Sequence, residues 1–340
     1  MTGNFHIGFK RACTIIIGAV FFISGLLKLN DPTGTSLIVE SYFRFLHVDF
    51  LLPLSKSAGL AAGIVESVLG AALVAGLWRK VLAFVTWGVL GVFTILTLVL
   101  LVVNPEMSCG CFGEAIPLTH FQSFVKNLVL DALSFAAFIP VNDGTQPRKP
   151  KYAAFAAASL AAVALSIYAS EFLPLQDFTA YSQGVELEDR EFSFRDPFGE
   201  YVDSIALEDR KVVISIYSPE DFDAAEWNNA ARVVELALSN GIQPMLMMPD
   251  TDSCPPEMNE FLYFSDIRTL QTLNRSNGGV TYLYDGLIVS KWASGRLPDD
   301  DTFAATVNAD PYDIVFPEVS ARRIVFQAGI LAAFALLLLL

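Results

Sequence analysis

Charge is scarce in this sequence. Only 17% of its 340 residues are Asp, Glu, Lys or Arg, and 53% are hydrophobic. A mean hydropathy of +0.48 excludes a single water-soluble globule. Basic residues are scarcer than acidic ones, 22 against 36, for a formal charge of −14. That sign excludes nucleic acid as a partner, because phosphate backbones need a cationic face. Four cysteines are too few for a disulfide-built scaffold, and with three scattered histidines (His6, His47, His120) they assemble no usual zinc set. No metal site is expected. What the chain has instead is long apolar runs, which predict a multi-pass membrane protein in contact with lipid.

A helix needs roughly 17–25 apolar residues to cross the hydrocarbon layer. Six segments qualify by inspection, over about 12–29, 58–77, 81–103, 119–140, 152–170 and 324–340. The first follows Lys10 and Arg11 like a secretory signal, but it ends in Lys28, Asn30 and Asp31 without a small-residue cleavage site. It is read as a retained helix. Basic residues near span ends stay cytoplasmic. If the helices alternate, Lys10, Arg11, Arg79, Lys80, Arg148, Lys149 and Lys151 share one side, so the N-terminus is predicted cytoplasmic. The loops around 30–57 and 104–118 and the segment 171–320 then lie outside, in the periplasm of a cell with an inner (plasma) membrane. Arg322 and Arg323 oppose this locally for the last span.

Residues 171–320 differ in kind. They carry 28 acidic and 9 basic side chains, or −19, which leaves +5 for the remainder. Such a body is expected to be soluble and to stand off anionic headgroups. Its elements are REFSFRD, KVVISIY, an amphipathic run from Ala224 to Leu238 stopped by Asn240-Gly241, QPMLMMPD, and VTYLYDGLIVSKW. The last reads as a hairpin turning at Asp285-Gly286. Strand, helix, strand, helix and hairpin is the thioredoxin order. The redox dithiol of that fold is missing, because Ser218-Pro219-Glu220-Asp221 stands at the exit of KVVISIY, and Gly278-Gly279-Val280-Thr281 replaces the expected cis-proline. Cys254, the cysteine of this segment, is read as a structural or incidental thiol.

The sharper signal is NPEMSCGCFGEAIPLTHFQSFVKN, which puts Cys109 and Cys111 on an outer loop. Thr119 and Gln122 have capping-box spacing, so a helix starts there. Cysteines two positions apart close a disulfide only with strain, and strained exposed disulfides are the exchangeable kind. Two unpaired buried thiols, or a cross-link to Cys254, are the other readings. Ionisable residues within apolar spans add weight, since charge in hydrocarbon is costly and normally faces the bundle interior. Glu66 and Lys126 lie at similar depth and are expected to pair, either as a lock between helices or as part of a site. Asn127 and Asp131 share a helix face below them, and Lys28 and Asp31 end the first span on the same side. Cys13 is read as packing, and Trp78, Phe121 and Phe124 as interfacial anchors.

Taken together, ISGLLKLNDPTGTSLIVESYF, Glu66 and NPEMSCGCFGEAIPLTHFQSFVKN resemble the DoxX/MauE-type redox-associated membrane proteins, in the form with an appended thioredoxin-like domain. The resemblance implies a membrane α-helical fold: a four-helix transmembrane bundle (1–141), a cytoplasmic linker and fifth helix (142–170), an α/β thioredoxin-like extracytoplasmic domain without its CxxC (171–320), and a C-terminal transmembrane helix (321–340). It supports Cys109 and Cys111 as a redox pair, with Lys28, Asp31, Glu66, Lys126 and Asn127 as polar pattern positions. The chain departs from the pattern in having Ser108 where an acid usually precedes the first cysteine, and Phe121 and Phe124 in place of tryptophans. The expected function is a membrane thiol–disulfide component. Cys109 and Cys111 cycle, Lys126 or Lys28 stabilises the thiolate, and Glu66 moves protons. No cofactor is evident in the sequence; a quinone is the candidate electron carrier. Periplasmic or membrane proteins are the expected partners. The alternative is a non-catalytic scaffold or accessory subunit whose pseudo-thioredoxin domain binds an envelope complex.

Overall fold

The computed structural model describes residues 2–141, 148–250 and 253–339. It forms two compact units, one of residues up to 167 together with those from 327 onward, the other of residues 168–326. Of the expected linker, positions 142–147 lie outside the described residues.

The first unit is helical. Helix α1 (Thr2–Asn30) is followed at once by α2 (Pro32–Phe45), where the Asp31 carboxylate caps the start by accepting from the Gly34 N–H at 2.9 Å. The sequence reading left this stretch as a loop. A 3₁₀ turn (Asp49–Leu54) leads into α3 (Ser55–Ala75), then come α4 (Arg79–Val103), the short strand β1 (Cys111–Glu114), α5 (His120–Phe138) and α6 (Lys149–Glu171). Among the described residues five helical segments are long and apolar enough to cross a membrane, 7–30, 49–75, 79–103, 149–171 and 311–339. The protein is therefore a multi-pass membrane protein. The fourth expected span, 119–140, differs. Its helix forms as α5 and its Thr119/Gln122 capping box is present. However, Lys126, Asn127 and Asp131 among its 19 residues lower its mean hydropathy, so α5 falls outside the set of apolar spans.

Small residues set the packing. Helix α1 lies against α3, and a Cβ on Gly70 would sit 2.3 Å from the Phe22 nitrogen, one on Gly25 2.4 Å from the Ser67 nitrogen. Only glycine permits that backbone approach. Helix α5 packs on α4 and α1. At the opposite end from the cysteine loop, basic side chains cap helix C-termini. Arg11 donates to the Leu73 and Val74 carbonyls, Arg79 to the Ala137 carbonyl, and Lys10 to the Ile139 carbonyl at 2.6 Å. Each cation meets the negative end of a helix dipole. Cys13 is buried among Ile17, Phe21 and Leu73, a packing residue as expected.

The second unit is built on a mixed sheet. Its elements are β2 (Arg210–Ser215), α7 (Ala224–Ser239), β3 (Gln243–Met248), β4 (Leu262–Phe264), α8 (Ile267–Leu273), β5 (Gly279–Tyr284), β6 (Leu287–Trp292) and α9 (Asp300–Asn308), followed by α10 (Pro311–Leu339). The strand order is β4-β3-β2-β5-β6. The β4-β3 and β3-β2 pairs are parallel, and β2-β5 and β5-β6 antiparallel. Alternate residues serve two cores. Val212, Ile214, Leu246 and Val280 face α7 and α9, whereas Val213, Met245, Met247 and Leu283 pack with Phe194, Leu270 and Leu273. The hairpin turns at Asp285-Gly286, both at positive φ (46° and 77°), as the sequence predicts. REFSFRD does not form a strand: among the described residues Arg195 makes only isolated bridges to Tyr201 and Phe264.

Candidate functional site

The α1–α3 contact brings two buried ionised groups together. Lys28 Nζ lies 2.6 Å from Glu66 Oε2. Its other donors reach Ser24 Oγ at 2.9 Å and the Cys111 carbonyl at 3.0 Å. The Ser24 hydroxyl contacts both Glu66 Oε2, at 2.6 Å, and the Cys111 carbonyl. The cysteine loop is thus fastened by its backbone to the ion pair. From the other side the Tyr42 hydroxyl on α2 donates to the Cys109 carbonyl at 2.9 Å.

Between the cysteines Gly110 takes φ +65°, and a Cβ there would stand 2.4 Å from Ile38 Cγ2. Both the left-handed turn and the lack of room call for glycine. The turn brings Cys109 Sγ and Cys111 Sγ to 2.8 Å, as free thiols. Hydrogen bonding from the Cys111 thiol, assisted by the Lys126 ammonium and opposed by burial, holds the Cys109 thiol down to about 6. Its partner moves the other way: the bond to Cys109 and burial raise Cys111. The pair therefore favours a Cys109 thiolate bonded by a protonated Cys111, the arrangement of an attacking thiol.

Beneath the sulfurs lies a cavity of about 280 Å³. Its walls are mostly apolar, with Phe21, Phe93 and Leu130 among them, and Lys28, Glu66, Lys126 and Asn127 supply its polar lining. Asn127 Nδ2 donates to Thr97 Oγ1 at 3.1 Å, and Thr97 in turn donates to the Phe93 carbonyl at 2.8 Å. Asn127 Oδ1 and Glu66 Oε1 are buried with no partner among the described residues.

Residues 8–140 match the family model described as methylamine utilisation protein MauE. This part of the chain is similar to MauE. The match covers the helices and the loop that form the cavity and less than half of the chain. No curated protein and no solved structure matches the chain.

All five predicted site residues, Cys109, Cys111, Glu66, Lys126 and Lys28, line this cavity. The expected Glu66–Lys126 pair does not form. Glu66 pairs with Lys28, because the glycine contact draws α1 and α3 closer than α5 can approach, while Lys126 lies over the Phe112 ring at 5.2 Å. Asp31 is a helix cap rather than a wall residue. Asp131 accepts from the Thr94 hydroxyl at 2.8 Å, below the cavity. Cys254 belongs to the other unit, where burial pushes its thiol up to about 11. Sequence reasoning missed Ser24, Tyr42 and Thr97. Ser24 stands four residues before Lys28 on one helix face, a usable signal; nothing local marks the other two.

Proposed function

We propose that the chain is an integral membrane thiol–disulfide redox component. Cys109 and Cys111 lose two protons and two electrons as the S–S bond forms, and regain them on reduction. The observation that carries this reading is the sulfur pair at 2.8 Å fastened to a buried Lys–Glu pair above an apolar cavity. Lys126 stabilises the Cys109 thiolate, and Lys28 holds Glu66 and the loop together. Glu66 Oε1, unpartnered and buried, is placed to accept a proton from a group in the cavity.

Phe21, Phe93 and Leu130 would hold the flat apolar ring of a lipid-soluble quinone, and Glu66 and Asn127 would meet its oxygens when these carry protons. When bound, it would supply a two-electron acceptor. In the proposed orientation the cysteine loop and residues 171–320 face the periplasm and the basic helix ends face the cytoplasm.

The sheet order of the second unit supports a thioredoxin-like reading, with β2, β3, β5 and β6 as its core. The place of a redox dithiol, however, is a Pro219–Asp221 turn in which the Asn277 side chain accepts from the Tyr217 and Ser218 N–H groups at 2.9 and 3.1 Å. That unit serves as a binding arm that presents periplasmic or membrane proteins to the loop. The same lack of a dithiol favours a second reading, an accessory protein without redox chemistry of its own. On either reading the family's name makes methylamine utilisation the process served.

Gel-shift thiol trapping in intact cells tests the proposal. Cys109 and Cys111 are expected to be found in both redox states, and Cys109→Ser and Cys111→Ser to abolish function. Thiols that never oxidise, or fully functional serine variants, refute the redox reading and leave the accessory one.

A further inference from the structure

Apart from the Lys126 ammonium and the second Asn127 amide N–H, the side-chain donors of the cavity lining are engaged among the described residues, whereas two of its buried acceptors are not. All three Lys28 donors are engaged, by Ser24, Glu66 and the Cys111 carbonyl. The hydroxyls of Tyr42, Thr35 and Thr97 donate to the carbonyls of Cys109, Lys28 and Phe93. Lys126 sits over Phe112 with its charge on the sulfur pair. Against these, Glu66 Oε1 and Asn127 Oδ1 have no donor, in residues 2% and 0% exposed. The Asn127 amide orientation follows from its partner, because Thr97 Oγ1 gives its proton to Phe93 and can only accept.

We infer that this cavity selects the reduced, dihydroxy form of its ring ligand over the oxidised, dicarbonyl form. This rests on the redox reading above. A dicarbonyl ring brings only acceptors and leaves both buried oxygens unpaired, which carries a desolvation cost. A dihydroxy ring brings two donors and pairs both. An alkylammonium would also bring donors, but Lys28 already neutralises Glu66, and Lys126 faces the Cys109 thiolate. An added cation would stand uncompensated in an apolar space. The neutral dihydroxy form is what the lining fits. Stabilising the reduced form of a bound couple makes that couple more oxidising, so the cavity favours electron flow from the dithiol to the ring and hence disulfide formation. In that step Cys109 and Cys111 give up two electrons and two protons, their S–S bond forms, and the quinone takes up both pairs to become the hydroquinone.

The test is a binding measurement on full-length protein in nanodiscs, with Cys109→Ser and Cys111→Ser introduced so that no electrons pass. A short-chain benzoquinone and its hydroquinone, kept anaerobic, are the probes. The hydroquinone is expected to bind at least tenfold tighter; tenfold is about 30 mV for a two-electron couple. Asn127→Leu should cut that ratio severalfold. Glu66→Gln, which nearly conserves shape and adds a donor, should lower or invert it. A quinone that binds as tightly as its hydroquinone overturns the inference, as does a ratio that neither variant moves. If neither ring binds, both the inference and the proposed quinone fail, while thiol trapping decides the sulfur chemistry separately. A hydroquinone preference in a protein whose thiols never oxidise would keep the selectivity and remove the redox reading.

Discussion

The Lys28–Glu66 pair yields the most direct prediction. Each partner is nearly enclosed, with side-chain exposures of 11% and 3%. Lys28→Met leaves the Glu66 carboxylate with only the Ser24 hydroxyl. Glu66→Gln keeps the shape but leaves the ammonium with neutral acceptors only, the glutamine oxygen, Ser24 Oγ and the Cys111 carbonyl. Removing one member of a buried pair strands the other's charge, at a cost of about 3–5 kcal/mol. Each single variant is therefore expected to lose about 3 kcal/mol or more. The double variant strands nothing and should fall short of the sum of the singles by about 2–3 kcal/mol, in the range of measured close charge pairs. SDS-titrated unfolding from mixed micelles, run as a double-mutant cycle, measures this coupling. Additivity within about 0.5 kcal/mol would mean that the two groups do not sense each other, and the site described above would lose its foundation.

Four further outcomes follow from the same geometry. In reduced protein the alkylation rate of Cys109 should rise with a midpoint near pH 6, and Lys126→Met should move that midpoint upward. Because folding lowers the Cys109 thiol from its ordinary 9.0, the folded state binds fewer protons between about 6 and 9. The associated stability is complete above that window and is lost as pH falls through 6; unfolding titrations at pH 5 and 8 check the sign. Gly110→Ala, strained at φ +65° and pressed on Ile38, should destabilise by about 1–3 kcal/mol and slow disulfide formation, read by trapping time courses. Gly70→Ala should lower the thermal midpoint in detergent by forcing α1 off α3, since its Cβ would meet the Phe22 backbone.

Much of the site was legible because its chemistry is carried by residue types that hydrocarbon penalises. Lys28, Glu66, Lys126 and Asn127 stand out in apolar runs on composition alone, and Cys-Gly-Cys stands out by spacing. Their pairing was not legible. Depth along each helix sets Glu66 level with Lys126, but depth says nothing about distance between axes. That distance is fixed by Gly18, Gly25, Gly63 and Gly70, whose crowded surroundings appear only when α1 and α3 are docked. In the second unit, Asp285-Gly286 and the run from Ala224 announced themselves through local turn and capping chemistry. Strand β4 is three residues long and α8 seven, too short for periodicity to register. REFSFRD alternates like a strand yet pairs only through Arg195, so its alternation reflects Phe192 and Phe194 packing into the core rather than a ladder.

Helix α5 shows why the site and the membrane signal interfere. Its outward face is apolar, with Phe121, Val125, Leu128, Val129 and Phe135 exposed on the unit's surface. Its inward face holds Ser123, Asn127 and Ser134, all buried, and Asp131 bonded to Thr94 on α4. That is the reverse of a soluble amphipathic helix, and it suits a helix with lipid outside and a polar cavity inside. Hydropathy averaged around the helix mixes the two faces, which is why α5 is absent from the set of apolar spans although it packs between α1 and α4. Asp131 and the Asn127 amide N–H find their partners only when α4 supplies Thr94 and Thr97. Docking of α5 on α4 and assembly of the cavity are therefore one event. A change that empties the inward face of hydrogen bonds removes the site, even as it makes the helix more apolar.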